Sequence, residues 1–99
     1  MNQERPLWCA GIDVGSSAIK IAILHDRGGD GARLHGQVVE RLRRRDPLQV
    51  VDSALDQALQ QAGLRRAQVD YIATTGEGEK VECRTGHFYG NTVRRRAGR

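Results

Sequence analysis

The sequence predicts an α/β chain in which three strands, a helix and a fourth strand follow one another. Two observations carry this prediction. Apolar runs of strand length lie on both sides of a turn at residues 13–17, and an aspartate–proline pair precedes a stretch with apolar residues at three-to-four spacing. The chain has 99 residues, enough for about one small domain. We therefore expect the order β-β-β-α-β.

The first three elements are predicted as an antiparallel meander. Leu7 to Ile12 and Ala18 to Leu24 are the apolar runs of the first two strands. A turn-rich loop covers Asp26 to Gly31. Apolar residues alternate in part over Arg33 to Leu42, which predicts the third strand.

The helix is predicted from start and stop signals that agree. Asp46 is expected at the N-cap, Pro47 at the first helical position, and Gln49 in a capping-box arrangement with Asp46. Gly63 is expected just after the helix. Val69 to Thr74 then predicts a strand that returns parallel to the first strand through a right-handed crossover. The apolar stripe expected to pack on the sheet comprises Val50, Val51, Ala54, Leu55, Ala58, Leu59 and Ala62.

The turn between the first two strands carries residue types that suit a phosphate. Gly15 lets the backbone approach a ligand, while Ser16 and Ser17 add hydroxyl donors to the backbone N–H groups. Asp13 ends the first strand, where a carboxylate can hold magnesium directly or through water. Lys20, which we expect to be directed inward from its apolar run, supplies a charge for the terminal phosphates. An ordinary hairpin turn explains Asp13 and Gly15 by themselves, but it does not explain the lysine.

A second polar segment, Thr74 to Glu79, leaves the last predicted strand at its carboxyl end, where ligands gather in open α/β sheets. Its glycines would let the backbone approach a nucleotide or a partner. Glu77 or Glu79 would orient an attacking water or a magnesium-bound water. A plain surface turn explains the segment equally well.

The net charge of +4 belongs to the C-terminal end of the chain. From Arg84 onward there are five arginines and no acidic residue, whereas residues 1–83 hold eleven basic and twelve acidic side chains. Few aromatic residues accompany these arginines, so we expect no nucleic-acid partner. The Arg-rich tail, residues 93–99, is expected to be disordered, and the cluster formed by residues 41 and 43–45 to be an exposed loop.

The sequence carries no membrane or secretion signal. No apolar run approaches the ~20 residues of a membrane-spanning helix, and no signal-peptide pattern opens the chain. We therefore expect a cytoplasmic protein without a membrane partner. Cys9 and Cys83 lack metal-site spacing and are expected as free thiols. His25 and His35 are expected at surface positions near strand ends.

The motifs resemble those of a known superfamily. The pattern of Asp13, Gly15 and Lys20 is similar to the first phosphate motif of the acetate and sugar kinases, heat-shock chaperones and actin. Within that superfamily, Ala10 to Lys20 resembles the ATPase subunits of benzoyl-CoA reductase and the activators of 2-hydroxyacyl-CoA dehydratases. Residues 74–91 resemble more narrowly the D-type subunits of benzoyl-CoA reductase. The order β-β-β-α-β likewise resembles the first half of a ribonuclease-H-like (actin-like ATPase) domain.

The resemblance implies the cofactors and partners of a complete protein of this type. Such a protein binds ATP and magnesium, hydrolyses ATP, and drives electrons from a [4Fe-4S] cluster into catalytic subunits that reduce the aromatic ring of benzoyl-CoA in anaerobic benzoate degradation. Its partners are the other benzoyl-CoA reductase subunits, namely an ATPase partner subunit and the catalytic subunits. Neither Cys9 nor Cys83 corresponds to a cluster ligand of the family, so no cluster is assigned to this chain.

The resemblance also limits what the chain can do by itself. Residues 1–92 are expected to be the N-terminal part of an actin-like ATPase domain, whose nucleotide lies between two related halves. The chain is therefore expected to be a fragment or a truncated product that is inactive alone. A sugar or acyl kinase of the same superfamily, and a non-catalytic fragment or basic-tailed binding module, remain as alternatives.

Overall fold

The computed structural model describes residues 6–27 and 31–88, with only the backbone at 87 and 88. These residues form one five-stranded sheet in the order β3-β2-β1-β4-β5, with a single α-helix. The elements are β1 (Leu7–Val14), β2 (Ala18–Asp26), β3 (Ala32–Arg41), α1 (Pro47–Ala62), β4 (Tyr71–Gly76) and β5 (Gly86–Phe88), with single 3₁₀ turns at Arg66–Gln68 and Gly78–Lys80. The predicted α/β order is confirmed, and β5 is an additional short strand. The expected tail at 93–99 lies outside the described residues.

The strand pairing positions the carboxyl ends of β1 and β4 side by side. β1, β2 and β3 form the predicted antiparallel meander, and β4 returns parallel to β1. Strand β4 begins at Tyr71, later than predicted, and Asp70 just before it is hydrogen-bonded to β1. The Asp70 N–H donates to the Trp8 carbonyl oxygen at 2.7 Å, and the Trp8 N–H donates to Asp70 Oδ2 at 2.8 Å.

The core lies between α1 and one face of the sheet. Gly36 permits the close approach of the helix, because a Cβ atom there would lie 2.5 Å from the Ala58 carbonyl oxygen. The Gln37 N–H on the outer edge of β3 donates to Gln61 Oε1 of the helix at 2.8 Å. The predicted stripe is confirmed as a packing surface. The buried apolar residues are Ala10, Ile12, Val14, Ile19, Ile21, Ile23, Val38, Leu42, Val50, Val51, Ala54, Leu55, Ala58, Leu59 and Val81.

The two ends of α1 differ from each other in how they are capped. Gly63 has φ 72° and its N–H bonds back to the last turn, as predicted. Asp46 is the N-cap residue, but its side chain makes no capping hydrogen bond, so the predicted capping box with Gln49 is wrong. Both side chains are exposed, and water can satisfy the N–H groups of the first turn.

Three rings cluster near the start of β1. The His25 ring stacks on Trp8 with ring centroids 4.0 Å apart, and His35 approaches the Trp8 ring edge-on at 5.0 Å. A β-bulge leaves His35 without a register partner in β2. His35 is exposed as expected, and His25, near the end of β2, is half-buried. The described residues include no helix that is both long and apolar enough to cross a membrane.

Candidate phosphate-binding site

The bend between β1 and β2, formed by residues 15–17, lies where β1 and β4 end. The Gly15 N–H donates to the Ala18 carbonyl oxygen at 2.9 Å and closes the hairpin. A Cβ atom on Gly15 would lie only 3.1 Å from that oxygen, so the tight hairpin itself favours glycine. The Ser17 carbonyl oxygen accepts a hydrogen bond of 2.9 Å from the Leu42 N–H, which joins the bend to the end of β3.

The donors of the bend are available to a ligand. Ser16 and Ser17 are exposed, and within the described ranges their N–H groups have no hydrogen-bond partner. Two backbone N–H groups and two hydroxyl groups therefore point to an anion as the chemistry that the bend can bind.

Asp13 and Lys20 are direct cross-strand partners on β1 and β2. Both are exposed, on the face of the sheet opposite α1, because their strand neighbours such as Ile12 and Ile19 point into the core. The prediction of an inward lysine is therefore wrong. Lys20 nevertheless stays close to the bend, and among the described side chains its ammonium group forms no ion pair.

A shallow groove of about 360 Å³ runs along this open face. Lys20, Asp13 and Thr75 form one row across β2, β1 and β4, in that order. The parallel pairing of β4 with β1 places Thr75 beside Asp13, a position that no sequence pattern indicated. The next row consists of the small residues Ala22, Gly11 and Ala73.

Gly76, the last residue of β4, and Gly78, just after it, lie where the backbone packs closely against β1 and β4. Gly76 has φ 69°, and a Cβ atom there would overlap the Val14 carbonyl oxygen and lie 3.1 Å from Asp13 Oδ1. The Glu77 N–H donates to that same Val14 oxygen at 2.8 Å. Gly78 is buried, and a Cβ atom on it would lie 2.7 Å from the Thr74 Cβ. These glycines therefore have a structural reason that needs no nucleotide.

Glu77 and Glu79 line a different cavity from the one that holds Asp13 and Lys20. Both carboxylates are exposed, and their cavity of about 580 Å³ lies between the start of α1 and the end of β4. Asp46 and Lys80 also line it. The structure thus brings Asp13, Lys20 and the bend together and leaves the two glutamates beside them. The catalytic role of the glutamates stays a prediction.

The described side chains determine which metal groups this part of the chain suits. Magnesium needs one or two carboxylates because substrate phosphates and water complete its coordination, and exposed Asp13 beside the bend meets that requirement. Within residues 6–27 and 31–88, no group of three His, Cys, Asp or Glu side chains is placed to hold a metal ion, so these residues do not fit an iron–sulfur cluster. Cys9 and Cys83 are free thiols. Partial burial raises the pKa of the Cys9 thiol, and the negative charges of Asp26 and Asp70 raise it further.

Comparison with known proteins identifies the family. Residues 10–97 match the BadF/BadG/BcrA/BcrD ATPase family, and the chain belongs to this family. It is 42% identical over 87 residues to the D-type subunit of benzoyl-CoA reductase from Thauera aromatica, a match that covers 88% of this chain and 30% of that protein. The chain therefore spans about 30% of the length of this curated relative.

Two solved structures share the fold. Component A of (R)-2-hydroxyglutaryl-CoA dehydratase from Acidaminococcus fermentans superposes with a TM-score of 0.68 at 21% identity, covering 84% of this chain and 30% of that chain. A nucleotide-free diol dehydratase-reactivating factor superposes with a TM-score of 0.59 at 16% identity, covering 70% of this chain and 12% of that chain. The expected ribonuclease-H-like half of an actin-like ATPase fold is thereby confirmed.

Proposed function

We propose that this chain supplies the first phosphate-binding hairpin of an ATP-hydrolysing subunit. The single observation that carries the proposal is the exposed bend, whose Ser16 and Ser17 N–H groups lack partners in the described ranges, in a member of an ATPase family. Because the charged pair Asp13 and Lys20 lies on the two strands that flank this bend, a cation, a carboxylate and backbone donors are within one hairpin.

Each residue of the hairpin has a distinct role in this proposal. The Ser16 and Ser17 N–H and hydroxyl groups bind phosphate oxygens. The Lys20 ammonium acts as a mobile point charge for the terminal phosphates, which its four-carbon side chain suits. Asp13 holds magnesium, directly or through water, and Gly15 allows the tight bend. Magnesium supplies the charge that neutralises the phosphate chain during transfer to water.

Glu77 and Glu79 are proposed to orient the attacking water. The hydrogen bond from the Glu77 N–H to the Val14 carbonyl oxygen keeps the backbone of this segment next to the end of β1, one residue from Asp13. Both side chains are exposed and thus accessible to a bound nucleotide. The hairpin carries the proposed phosphate binding without the two glutamates, because they line a separate cavity.

The activity of the whole protein is proposed from its relatives. The 42% identity to a benzoyl-CoA reductase subunit favours a subunit that couples ATP hydrolysis to low-potential electron transfer for aromatic ring reduction. The partners are then the other subunits of that reductase. A [4Fe-4S] cluster would supply the electrons, and its ligands would have to come from outside the residues described here.

Thermal stability in the presence of Mg·ATP tests the hairpin. A ligand that binds only the folded chain raises its melting temperature, so millimolar Mg·ATP should stabilise the wild type. We expect Lys20→Ala to abolish most of this shift, because it removes the cation beside the bend. Arg33→Ala is the matched control, since exposed Arg33 lies at the far end of the sheet, opposite His25 in the pairing of β3 with β2. Equal shifts for Lys20→Ala and the wild type would contradict the proposed role of Lys20.

A further inference from the structure

Two consecutive arginines adopt a backbone conformation that arginine rarely takes. Arg43 has φ 49° and Arg44 has φ 67°, and they are the non-glycine residues with positive φ in the described part of the chain. They form the centre of a turn closed by a 2.9 Å hydrogen bond from the Arg45 N–H to the Leu42 carbonyl oxygen. Such turns favour Asn and Gly. Strained residues of this kind are concentrated at functional sites, so the turn requires an explanation.

The neighbouring residues hold this turn in place. Leu42 is buried in the core. The Arg45 side chain folds back, with Nε donating to the Leu42 carbonyl oxygen at 3.1 Å and the guanidinium donating to the Arg41 carbonyl oxygen and to Glu40 Oε2, the latter at 3.1 Å. Arg45 therefore braces the turn and neutralises the nearby carboxylate.

The side chains of the two central arginines are accessible to a ligand. Arg43 and Arg44 are exposed, and within residues 6–27 and 31–88 neither side chain makes a hydrogen bond or an ion pair. Two adjacent guanidinium groups without a described carboxylate partner create a positive surface at this end of the sheet. Guanidinium groups match phosphate oxygens in a forked, two-bond geometry.

The turn is joined directly to the bend at residues 15–17. The Leu42 N–H donates to the Ser17 carbonyl oxygen at 2.9 Å, and the Arg43 Cα follows the Leu42 Cα by about 3.8 Å. The turn therefore begins one residue from the backbone of the bend, a separation that a long arginine side chain can span.

We propose that Arg43 and Arg44 form an arginine turn that binds the phosphate chain of the nucleotide held at the bend, from the side opposite to β4. This inference rests on the proposed function and deepens it, because it adds two phosphate-binding residues from outside the hairpin. Both arginines are exposed in a turn that directly follows Leu42, the residue bonded to Ser17, and Arg45 holds the turn in that conformation.

Nuclear magnetic resonance of the labelled chain distinguishes this inference from the proposed function. We expect inorganic tripolyphosphate to shift the Arg43 and Arg44 Nε–Hε signals together with the Ser16 and Ser17 amide signals, at one common midpoint. Shifts at the serines without shifts at the arginines would overturn the arginine turn and leave the hairpin standing. No shift at any of the four would refute the phosphate site itself. Shifts at the arginines alone would overturn the inference in favour of a separate acidic or nucleic-acid partner.

A double variant tests the guanidinium groups without disturbing the turn. Arg43→Asn with Arg44→Gly places turn-forming residues at the two positive φ positions, so the variant should fold at least as stably as the wild type. We expect its tripolyphosphate affinity to fall about tenfold, the loss of one or two charge-assisted hydrogen bonds. The double variant Arg27→Asn with Arg33→Asn removes the same charge from exposed residues at the far end of β2 and β3. Equal weakening in both double variants would show a bulk charge effect and overturn the inference.

Discussion

The contacts between the end of β1 and the end of β4 determine where the chain requires a glycine. Gly76 is the clearest case, because its positive φ and its position against the Val14 carbonyl oxygen both exclude a side chain. Gly11, on the open face of the same pair of strands, is different. A Cβ atom there would meet nothing within 4 Å. The backbone conformation and the close contact therefore require glycine at position 76, whereas position 11 has room for a side chain.

Gly76→Ala is expected to lower the free energy of unfolding by about 2 kcal/mol or more, since the left-handed conformation and the overlap with Val14 both cost energy. Gly11→Ala should change it by no more than about 0.5 kcal/mol. Urea denaturation of the two variants measures both values. An equal, small effect of the two substitutions would contradict the close approach of Gly76 to β1.

Sequence patterns predicted Gly15, Ser16 and Ser17 together in one bend with Asp13 at the end of the strand before it, but they placed Lys20 on the wrong face. Alternation gives the correct face only when the exposed positions are polar. In β2 the exposed face also carries Ala22 and Leu24, so the run looked apolar on both sides. The unusual φ angles of Arg43 and Arg44 could not be predicted, because neither residue type signals such a turn.

At the scale of elements, the local signals of α1 were the most informative. Proline at the start, Gly63 at the end and the three-to-four spacing of apolar residues agree with the observed bounds Pro47–Ala62. The capping box failed because capping depends on a side-chain rotamer, which residue types alone do not determine. Strand β5 was missed because it has three residues, Gly86–Phe88, and forms only by pairing with β4.

The observed caps predict unequal effects at the two ends of the helix. Asp46→Ala is expected to lower the free energy of unfolding by less than about 0.5 kcal/mol, below the ~1 kcal/mol typical of a bonded N-cap, because the side chain makes no capping hydrogen bond. Gly63→Ala should lower it by about 1 kcal/mol, since alanine disfavours the left-handed conformation. Chemical denaturation of both variants tests this order. A larger loss for Asp46→Ala would mean that its carboxylate caps the helix in solution.

At the scale of the whole molecule, the two faces of the sheet have different roles. Helix α1 covers one face and builds the core, while the opposite face carries Asp13, Lys20 and the shallow groove. Exposed apolar side chains lie on that open face as well, including Val39, which is 58% exposed and pairs with Lys20. The residues that we propose to bind phosphate and magnesium therefore lie on the face opposite α1 and at the end of β1.

The amide signals of Ser16 and Ser17 during titration with Mg·ATP test the central claim most directly. If the bend binds the phosphate chain, both signals shift and saturate with Mg·ATP, while adenosine, which lacks phosphates, leaves them unchanged. A dissociation constant near 1 mM, corresponding to about 4 kcal/mol, is sufficient for this measurement. Signals that stay unchanged with Mg·ATP, or that move equally with adenosine, would contradict a phosphate site at this bend.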